Sequence, residues 1–298
     1  MTLVTSGRSS WRAYLELVRL PNLFTVLADI GAAFVYAGAP RAAWSILPVL
    51  AGAAVCLYAG GVVLNDVFDL AQDRTERPQR PIPSRRVPRG RAAALGIGLL
   101  VGGLALAGLA SGRAVLAAAA LVVLILLYDA GGKRTLAGPA LMGGCRGLSL
   151  LLGMSVAAHW VSAETLVPAV LYAGYVASIT HFAARETESG GRGRLLAGAG
   201  GAAFSVAGLI AIRWLRGNVD DSYLIGVAAV LAVVAGTAAP ALRTPSPDKV
   251  QRAMRAFLLM LVGFDACLAW SAGGIGAGAA ILALVLPALL LSRLFRMT

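Results

Sequence analysis

The chain has 298 residues, of which 58% are hydrophobic and only 13% are charged, and its mean hydropathy is +0.78. Soluble domains usually carry about 25% charged residues, so this composition excludes an ordinary soluble protein and predicts a chain embedded in a lipid bilayer. The net charge of +12 does not indicate a nucleic-acid partner, because the basic residues gather at the ends of apolar runs without a basic face interleaved with aromatic residues.

The sequence predicts neither a removable targeting peptide nor disulfide bonds. The first 20 residues have no short apolar core followed by a small-residue cleavage site, so a removable signal peptide is not expected. Cys56, Cys145 and Cys267 lie far apart inside apolar segments, which predicts neither a disulfide framework nor a metal site.

Ten apolar runs are candidates for membrane-spanning helices, since about 17 to 25 helical residues cross the hydrocarbon of a bilayer. They lie near residues 23–38, 44–64, 92–110, 114–128, 139–157, 166–183, 195–211, 222–239, 254–271 and 275–292. No polar block separates them, so we predict one all-α integral membrane domain over residues 1–298.

The connections between these runs differ strongly in charge. The two termini and every second loop hold 21 of the 26 lysine and arginine residues. Positively charged connections remain on the cytoplasmic side, so both termini and the loops on their side are expected to be cytoplasmic.

The loop after the second run, NDVFDLAQDRTERPQRPIPSRR at 65–86, is the most polar stretch of the chain. If the helix continues for two turns beyond the membrane, Asp66, Asp69 and Asp73 share one face with Asn65. Such carboxylates repel one another, and Mg²⁺ prefers carboxylate oxygens and is commonly shared with substrate phosphates. We therefore predict that the three aspartates are Mg²⁺ ligands and that a diphosphate completes the site.

Arginines follow the acids at three-residue intervals, at Arg74, Arg77 and Arg80. Their planar guanidinium groups suit phosphate binding. The alternative, strongest for the arginines after residue 84, is that they only set topology or contact anionic lipid. A calcium-binding loop is disfavoured because its alternating acids, central glycine and closing glutamate are missing.

Four stretches resemble the UbiA superfamily of intramembrane prenyltransferases. Residues 65–84 resemble its first aspartate-rich motif, and RLPNLFTVL at 19–27 resembles the start of its first helix. YDAGGKRTLAGP at 128–139 resembles its Tyr-to-Lys motif, and RAMRAFLLMLVG at 252–263 resembles the opening of its last shared helix. The runs MGGCRGLSLLLGMS and ETESGG are similar to a branch described as EboC-like.

The resemblance implies a UbiA-like bundle of nine to ten transmembrane helices around a central cavity that opens to lipid. It also implies that Mg²⁺ bridges the acidic motifs to an isoprenyl diphosphate. The diphosphate would be bound by five residues, Asn65, Arg74, Arg77, Lys133 and Arg134. The cavity would include Asn22, Tyr128, Arg146 and His181.

Two of these residues have competing interpretations. Tyr128 is either an anchor at the membrane interface or a π-face that stabilises an allylic cation. His181 is either a proton acceptor or an ordinary histidine at a helix end.

The chain departs from the family in its second acidic loop, which reads HFAARETESGGR. Glu186 and Glu188 are its only acids, and residues two apart on a helix point in different directions. We expect Glu186 to be catalytic and both glutamates to be metal ligands, with one or two Mg²⁺ ions left open. The tenth apolar run is a second departure, and it is expected to pack outside the bundle.

Three charged residues lie well inside apolar runs, away from their ends, where an ionised side chain is unfavourable without a partner or a water-filled cavity. Asp29 and Arg146 each lie about seven residues, roughly 10 Å, from the same membrane face, so we predict that they pair. Asp265 lies nearer the midplane. Arg146 either fixes helix packing through this pair or contacts substrate.

The expected function is a Mg²⁺-dependent membrane prenyltransferase in which Asp66, Asp69, Asp73, Glu186 and Lys133 act on an isoprenyl diphosphate. An acceptor of unknown identity would then receive the isoprenyl group. Two alternatives stay open: a membrane terpene cyclase of the same family, and a non-catalytic protein that binds prenyl lipids.

Overall fold

The computed structural model describes residues 10–183, 191–217 and 219–294, and every regular element within them is helical. The α-helices are α1 (Ser10–Leu17), α2 (Leu23–Tyr36), α3 (Leu47–Phe68), α4 (Leu70–Glu76), α5 (Arg89–Ala110), α6 (Gly112–Asp129), α7 (Gly138–Gly153), α8 (Ala163–Ala183), α9 (Gly191–Leu215), α10 (Asp221–Arg243), α11 (Pro247–Ala283) and α12 (Val285–Leu294). Short 3₁₀ turns occupy Leu20–Asn22, Arg41–Ile46, Gly132–Arg134 and Met154–Val156.

The predicted helical membrane bundle is confirmed. Among the described residues, eight helical stretches are long and apolar enough to cross a membrane. The number becomes nine if Trp11–Leu17 and Leu20–Tyr36, which meet at an angle of 48°, are counted as one span. All ten apolar runs of the sequence are helical for most of their length.

Close contact between α3 and α5 supports the helix that leads into the acidic loop. A Cβ atom added to Gly103 would lie 2.7 Å from Cγ of Leu57, and one added to Gly96 would lie 2.8 Å from Cγ of Leu64. Lipid is as apolar as the helix surfaces, so the hydrophobic effect does not drive membrane helices together. Small residues let the helices approach closely, and the resulting van der Waals packing holds them together. The leucines of α3 therefore pack directly on the backbone of α5.

The tenth apolar run folds back on the first part of α11, and most of its residues stay exposed or half-buried. Gly274 has φ of 76°, a conformation that interrupts α11 and favours glycine. A Cβ atom on Gly278 would lie 2.9 Å from the carbonyl oxygen of Ala266, whereas twelve residues of straight helix extend about 18 Å. The chain therefore doubles back at Gly274, and α12 packs against α2 and the turn before it.

Candidate active site

The acidic loop extends α3 almost without interruption. The α-helix ends at Phe68, Asp69 has φ of −85° and ψ of 4°, and α4 begins at the next residue. The backbone N–H of Asp69 donates to the carbonyl of Asn65 at 2.9 Å, and that of Asp73 donates to the carbonyl of Asp69 at 2.8 Å. The two helical turns assumed from the sequence are thus present, with a local distortion at Asp69.

Arg80 joins the first and third aspartates of the motif. Its Nη1 atom lies 3.1 Å from Oδ1 of Asp66 and 2.8 Å from Oδ2 of Asp73, and all three side chains are buried. Arg19, from the chain segment before α2, contacts the same oxygen of Asp66 at 3.1 Å. Asp66 and Asp73 therefore share one helix face, as the spacing predicted, and arginines neutralise them.

Asp69 faces a different cation. Its Oδ2 atom accepts a hydrogen bond from Nζ of Lys133 at 2.7 Å, which brings the acidic loop to the turn between α6 and α7. Nη2 of Arg134 lies 3.7 Å from Oδ1 of Asp69, too far for a hydrogen bond. This Oδ1 atom is buried and has no hydrogen-bond partner within the described part of the chain.

Asp129 is a site residue that sequence reasoning missed. It ends α6 and is 5% exposed, and its Oδ1 atom accepts a hydrogen bond from Nδ2 of Asn65 at 2.6 Å. Its Oδ2 atom is buried without a partner among the described residues. A signal was available, because Asp129 directly follows Tyr128 and lies on the same predicted side of the membrane as the acidic loop.

A cavity of about 640 Å³ opens beside these residues. Its lining includes Asn65, Tyr128 and Asp129 at the acidic loop and mostly apolar side chains elsewhere, contributed by α2, α3, α6, α7, α8, α11 and α12. Arg146 also lines it, and the guanidinium carbon lies 5.2 Å from the ring centroid of Tyr58. The polar end and apolar body match an amphiphilic ligand with a charged head and a hydrocarbon chain.

The cavity residues implied by the family resemblance divide into two groups. Asn22, Tyr128 and Arg146 line the cavity. His181 is not among the described lining residues, whereas Thr180 is. Successive residues of a helix point about 100° apart, so the direction that brings Thr180 to the cavity turns His181 away from it.

The buried charges of the bundle form one network. Nη1 of Arg146 lies 2.7 Å from Oδ2 of Asp29, which confirms the predicted pair. The hydroxyl of Tyr172 donates to Oδ1 of Asp29 at 2.5 Å and lies 3.4 Å from Oδ2 of Asp265. Asp29 and Asp265 are both 0% exposed, but only Asp29 contacts the arginine directly.

The other predicted arginines of the diphosphate site in the acidic loop are not brought to the aspartates by any ion pair among the described residues. Arg74 in α4 and Arg77, the residue directly after that helix, are exposed, whereas Arg80 is buried and contacts two of the aspartates. Glu186 and Glu188 lie outside the described residues. Within the described ranges, no three His, Cys, Asp or Glu side chains are close enough together to form a metal site by themselves.

Curated relatives match half of the chain or less. A digeranylgeranylglyceryl phosphate synthase from Ignicoccus hospitalis is 40% identical over 152 residues, which is 50% of this chain and 48% of that protein. The protein of the same name from Sulfurisphaera tokodaii is 38% identical over 125 residues, which is 41% of this chain and 43% of that protein. These alignments therefore span only about half the length of the relatives.

Solved structures match over nearly the whole chain, and at their low sequence identities the likeness establishes the fold alone. A digeranylgeranylglyceryl phosphate synthase structure has a TM-score of 0.66 and 20% identity, covering 90% of this chain and 99% of that one. A UbiA homologue from Archaeoglobus fulgidus bound to GPP and Mg²⁺ has a TM-score of 0.62 and 14% identity, covering 91% and 99%. In sequence, the UbiA prenyltransferase family profile matches residues 23–262, so this chain belongs to the UbiA prenyltransferase family.

Proposed function

We propose that the protein is a Mg²⁺-dependent intramembrane prenyltransferase that transfers an isoprenyl group from an isoprenyl diphosphate to an acceptor. The observation that carries the proposal is a largely apolar cavity whose polar end is lined by Asn65 and Asp129, with the Asp69–Lys133 pair close enough to act on the charge of Asp129. Family membership and the names of the relatives support it. A UbiA homologue of the same fold has a structure with GPP and Mg²⁺ bound.

The residues present fit a magnesium ion. Oδ1 of Asp69 and Oδ2 of Asp129 are buried carboxylate oxygens without a hydrogen-bond partner in the described chain, and such oxygens are unfavourable unless something cationic or hydrogen-bonding reaches them. Mg²⁺ commonly binds through one or two carboxylates together with substrate phosphates and water. We assign Asp69 and Asp129 as direct ligands of this ion. Asp66 and Asp73 are the neighbouring carboxylates of the site.

The basic residues have distinct roles in this proposal. Lys133 and Arg134 bind the diphosphate head, because both already lie beside Asp69 of the acidic loop. Arg80 holds the acidic loop in place by bridging Asp66 and Asp73. Bound Mg²⁺ would stabilise the negative charge that develops on the departing diphosphate.

The apolar body of the cavity binds the isoprenyl chain and keeps water away from it. The bond between the allylic carbon and the diphosphate oxygen breaks, and its electron pair leaves with the diphosphate. The acceptor nucleophile forms the new bond to that carbon and releases a proton. We assign to Tyr128, which lines the cavity next to Asp129, the role of stabilising the allylic cation through its π-face.

The test is to incubate purified protein with Mg²⁺ and geranylgeranyl or farnesyl diphosphate, with and without a panel of nucleophilic acceptors. The relatives' names make a glyceryl phosphate lipid the first acceptor to include. Diphosphate release that requires an acceptor, with a prenylated product in the mass spectrum, supports the proposal. Hydrocarbon products without an acceptor indicate a cyclase, and binding without diphosphate release indicates a non-catalytic prenyl-lipid protein.

Asp129→Asn is expected to weaken metal binding without unfolding the protein. The amide oxygen still accepts the hydrogen bond from Asn65, but the negative charge beside the metal is lost. We expect the Mn²⁺ concentration for half-saturation, followed by electron paramagnetic resonance with the diphosphate donor present, to rise at least about tenfold. Asp248→Asn is the control, because Asp248 is exposed at the start of α11 and does not line the cavity. Equal Mn²⁺ affinity in the two variants would remove Asp129 from the metal site.

We also propose that the acidic loop and both termini are cytoplasmic, because that side carries most of the lysine and arginine residues. The test replaces the native cysteines and introduces single cysteines at Gln79, in the acidic loop, and at Ser222, in the first turn of α10, at opposite ends of the bundle. A membrane-impermeant thiol reagent added to intact cells should label only the cysteine at position 222. Labelling at position 79 alone would reverse the orientation.

A further inference from the structure

Two buried carboxyl groups and one guanidinium group form a network that the proposed reaction does not use. Its members are Asp29 of α2, Arg146 of α7, Tyr172 of α8 and Asp265 of α11. Asp29 and Asp265 are both 0% exposed. Arg146 forms an ion pair with Asp29 at 2.7 Å and with no other carboxylate in the described part of the chain. The network therefore has two potential negative charges for one positive charge.

The two carboxyl groups approach the same hydroxyl oxygen. The Oη atom of Tyr172 lies 2.5 Å from Oδ1 of Asp29 and 3.4 Å from Oδ2 of Asp265. Because a hydroxyl group has only one proton to donate, it donates to Asp29, which is the shorter contact. The contact with Asp265 becomes a hydrogen bond when the carboxyl group of Asp265 carries a proton and donates it to the tyrosine oxygen. One proton on Asp265 thus satisfies both distances.

Burial also opposes a second ionised carboxylate at this place. An ionised side chain within a membrane span is unfavourable without a counter-charge, and two neighbouring carboxylates resist being ionised together. Cys267, close enough to be affected by the charge of Asp265, adds no positive charge. Oδ1 of Asp265 is buried without a hydrogen-bond partner among the described residues. Such an atom is less unfavourable in a neutral carboxyl group than in a carboxylate, whose full charge is spread over both oxygens.

We infer that Asp29 and Asp265 hold a single proton between them through Tyr172, which makes the network a proton-binding site inside the membrane. The proton resides on Asp265, so that Asp29 is left as the full counter-charge of Arg146. Tyr172 and Asp265 are positioning residues, because they hold Asp29 on the guanidinium group and are not among the described residues that line the cavity. Arg146 does line the cavity, and with this proton in place the cavity wall there has no net charge.

The test is infrared spectroscopy of the purified protein at neutral pH, in a detergent without ester groups. A protonated carboxyl group and an ionised carboxylate absorb at separate frequencies, so difference spectra between wild type and single variants distinguish the two forms. We expect Asp265→Asn to remove one protonated-carboxyl band and to leave the ionised-carboxylate bands unchanged. Asp221→Asn is the matched control, because Asp221 is exposed at the start of α10, and it should remove only ionised-carboxylate bands.

Three further variants test whether the proton depends on its surroundings. Arg146→Met removes the positive charge, so Asp29 should become protonated as well and a second protonated-carboxyl band should appear. Asp29→Asn removes the competing carboxylate, so Asp265 should ionise as the remaining counter-charge of Arg146, and the protonated-carboxyl band of wild type should disappear. Tyr172→Phe should shift the frequency of that band, because the protonated carboxyl group loses its hydrogen-bond acceptor.

Loss of ionised-carboxylate bands in Asp265→Asn would mean that both aspartates are ionised, and it would overturn the inference. A protonated-carboxyl band that persists in Asp29→Asn would show that Asp265 keeps its proton whatever charges surround it, which would equally remove the shared site. Asp265→Asn is expected to fold as well as wild type, because the asparagine amide donates to Tyr172 as the protonated acid does. The spectra require neither donor nor acceptor, so their outcome is independent of the transfer assay.

Discussion

Asp69→Asn is expected to lower the rate of prenyl transfer by about 100- to 1,000-fold. A loss of this size is typical when an enzyme loses one group that stabilises the charge developing in the transition state. Asp69 is the only aspartate of its loop that combines a hydrogen bond to Lys133 with a buried carboxylate oxygen lacking a partner among the described residues. Asparagine preserves the shape of the side chain and removes its charge. The measurement is diphosphate release at saturating donor and Mg²⁺.

The control for Asp69→Asn is Glu76→Gln. Glu76 ends α4, the helix that begins directly after Asp69, but it is exposed and accepts hydrogen bonds from Nε2 of Gln72 at 3.0 and 3.1 Å. We expect this variant to keep the wild-type rate. Folding of both variants is checked by gel filtration and by a thermal scan in detergent. An Asp69→Asn enzyme that retains more than a tenth of the wild-type rate would show that the carboxylate is not part of the catalytic site.

The helices could be predicted from the sequence because long apolar runs leave few structural choices in a bilayer, where backbone polar groups must be satisfied within the helix. The presence of a cation beside the acidic loop could also be predicted, since three aspartates at helical spacing need a positive partner. The direction of each side chain was not predictable. Asp66 and Asp73 share Arg80, but the distortion of the backbone at Asp69 turns this residue towards Lys133.

Residues brought together from distant segments were the hardest to foresee. Asp129 gains significance only because Asn65 lies beside it, 64 positions earlier in the chain. The role of α12 in lining the cavity depends on a single conformation at Gly274, and a run of apolar residues does not reveal where such a reversal occurs. By contrast, the Asp29–Arg146 pair was predictable, because depth in the membrane limits the partners available to a buried charge.

The stability of the bundle should depend on this pair. Asp29→Asn leaves the buried guanidinium group of Arg146 without its direct counter-charge, and breaking a buried ion pair from one side usually destabilises a protein by about 3–5 kcal/mol. We expect a clear fall in the thermal unfolding midpoint in detergent, followed by tryptophan fluorescence. The double variant Asp29→Asn with Arg146→Met removes both charges and should recover part of the loss.

Asp265→Asn is the matched comparison, because Asp265 is as buried as Asp29 but forms no ion pair with Arg146 among the described residues, and its hydrogen bond with the hydroxyl of Tyr172 is long, at 3.4 Å. Its Oδ1 atom has no partner among the described residues, so replacing the carboxyl group removes little that is favourable. We expect a change within about 1 kcal/mol, the size of one weak hydrogen bond. If Asp265→Asn destabilised the protein as much as Asp29→Asn, the two carboxylates would act on Arg146 as a unit, and the pair would have to be treated as a triad.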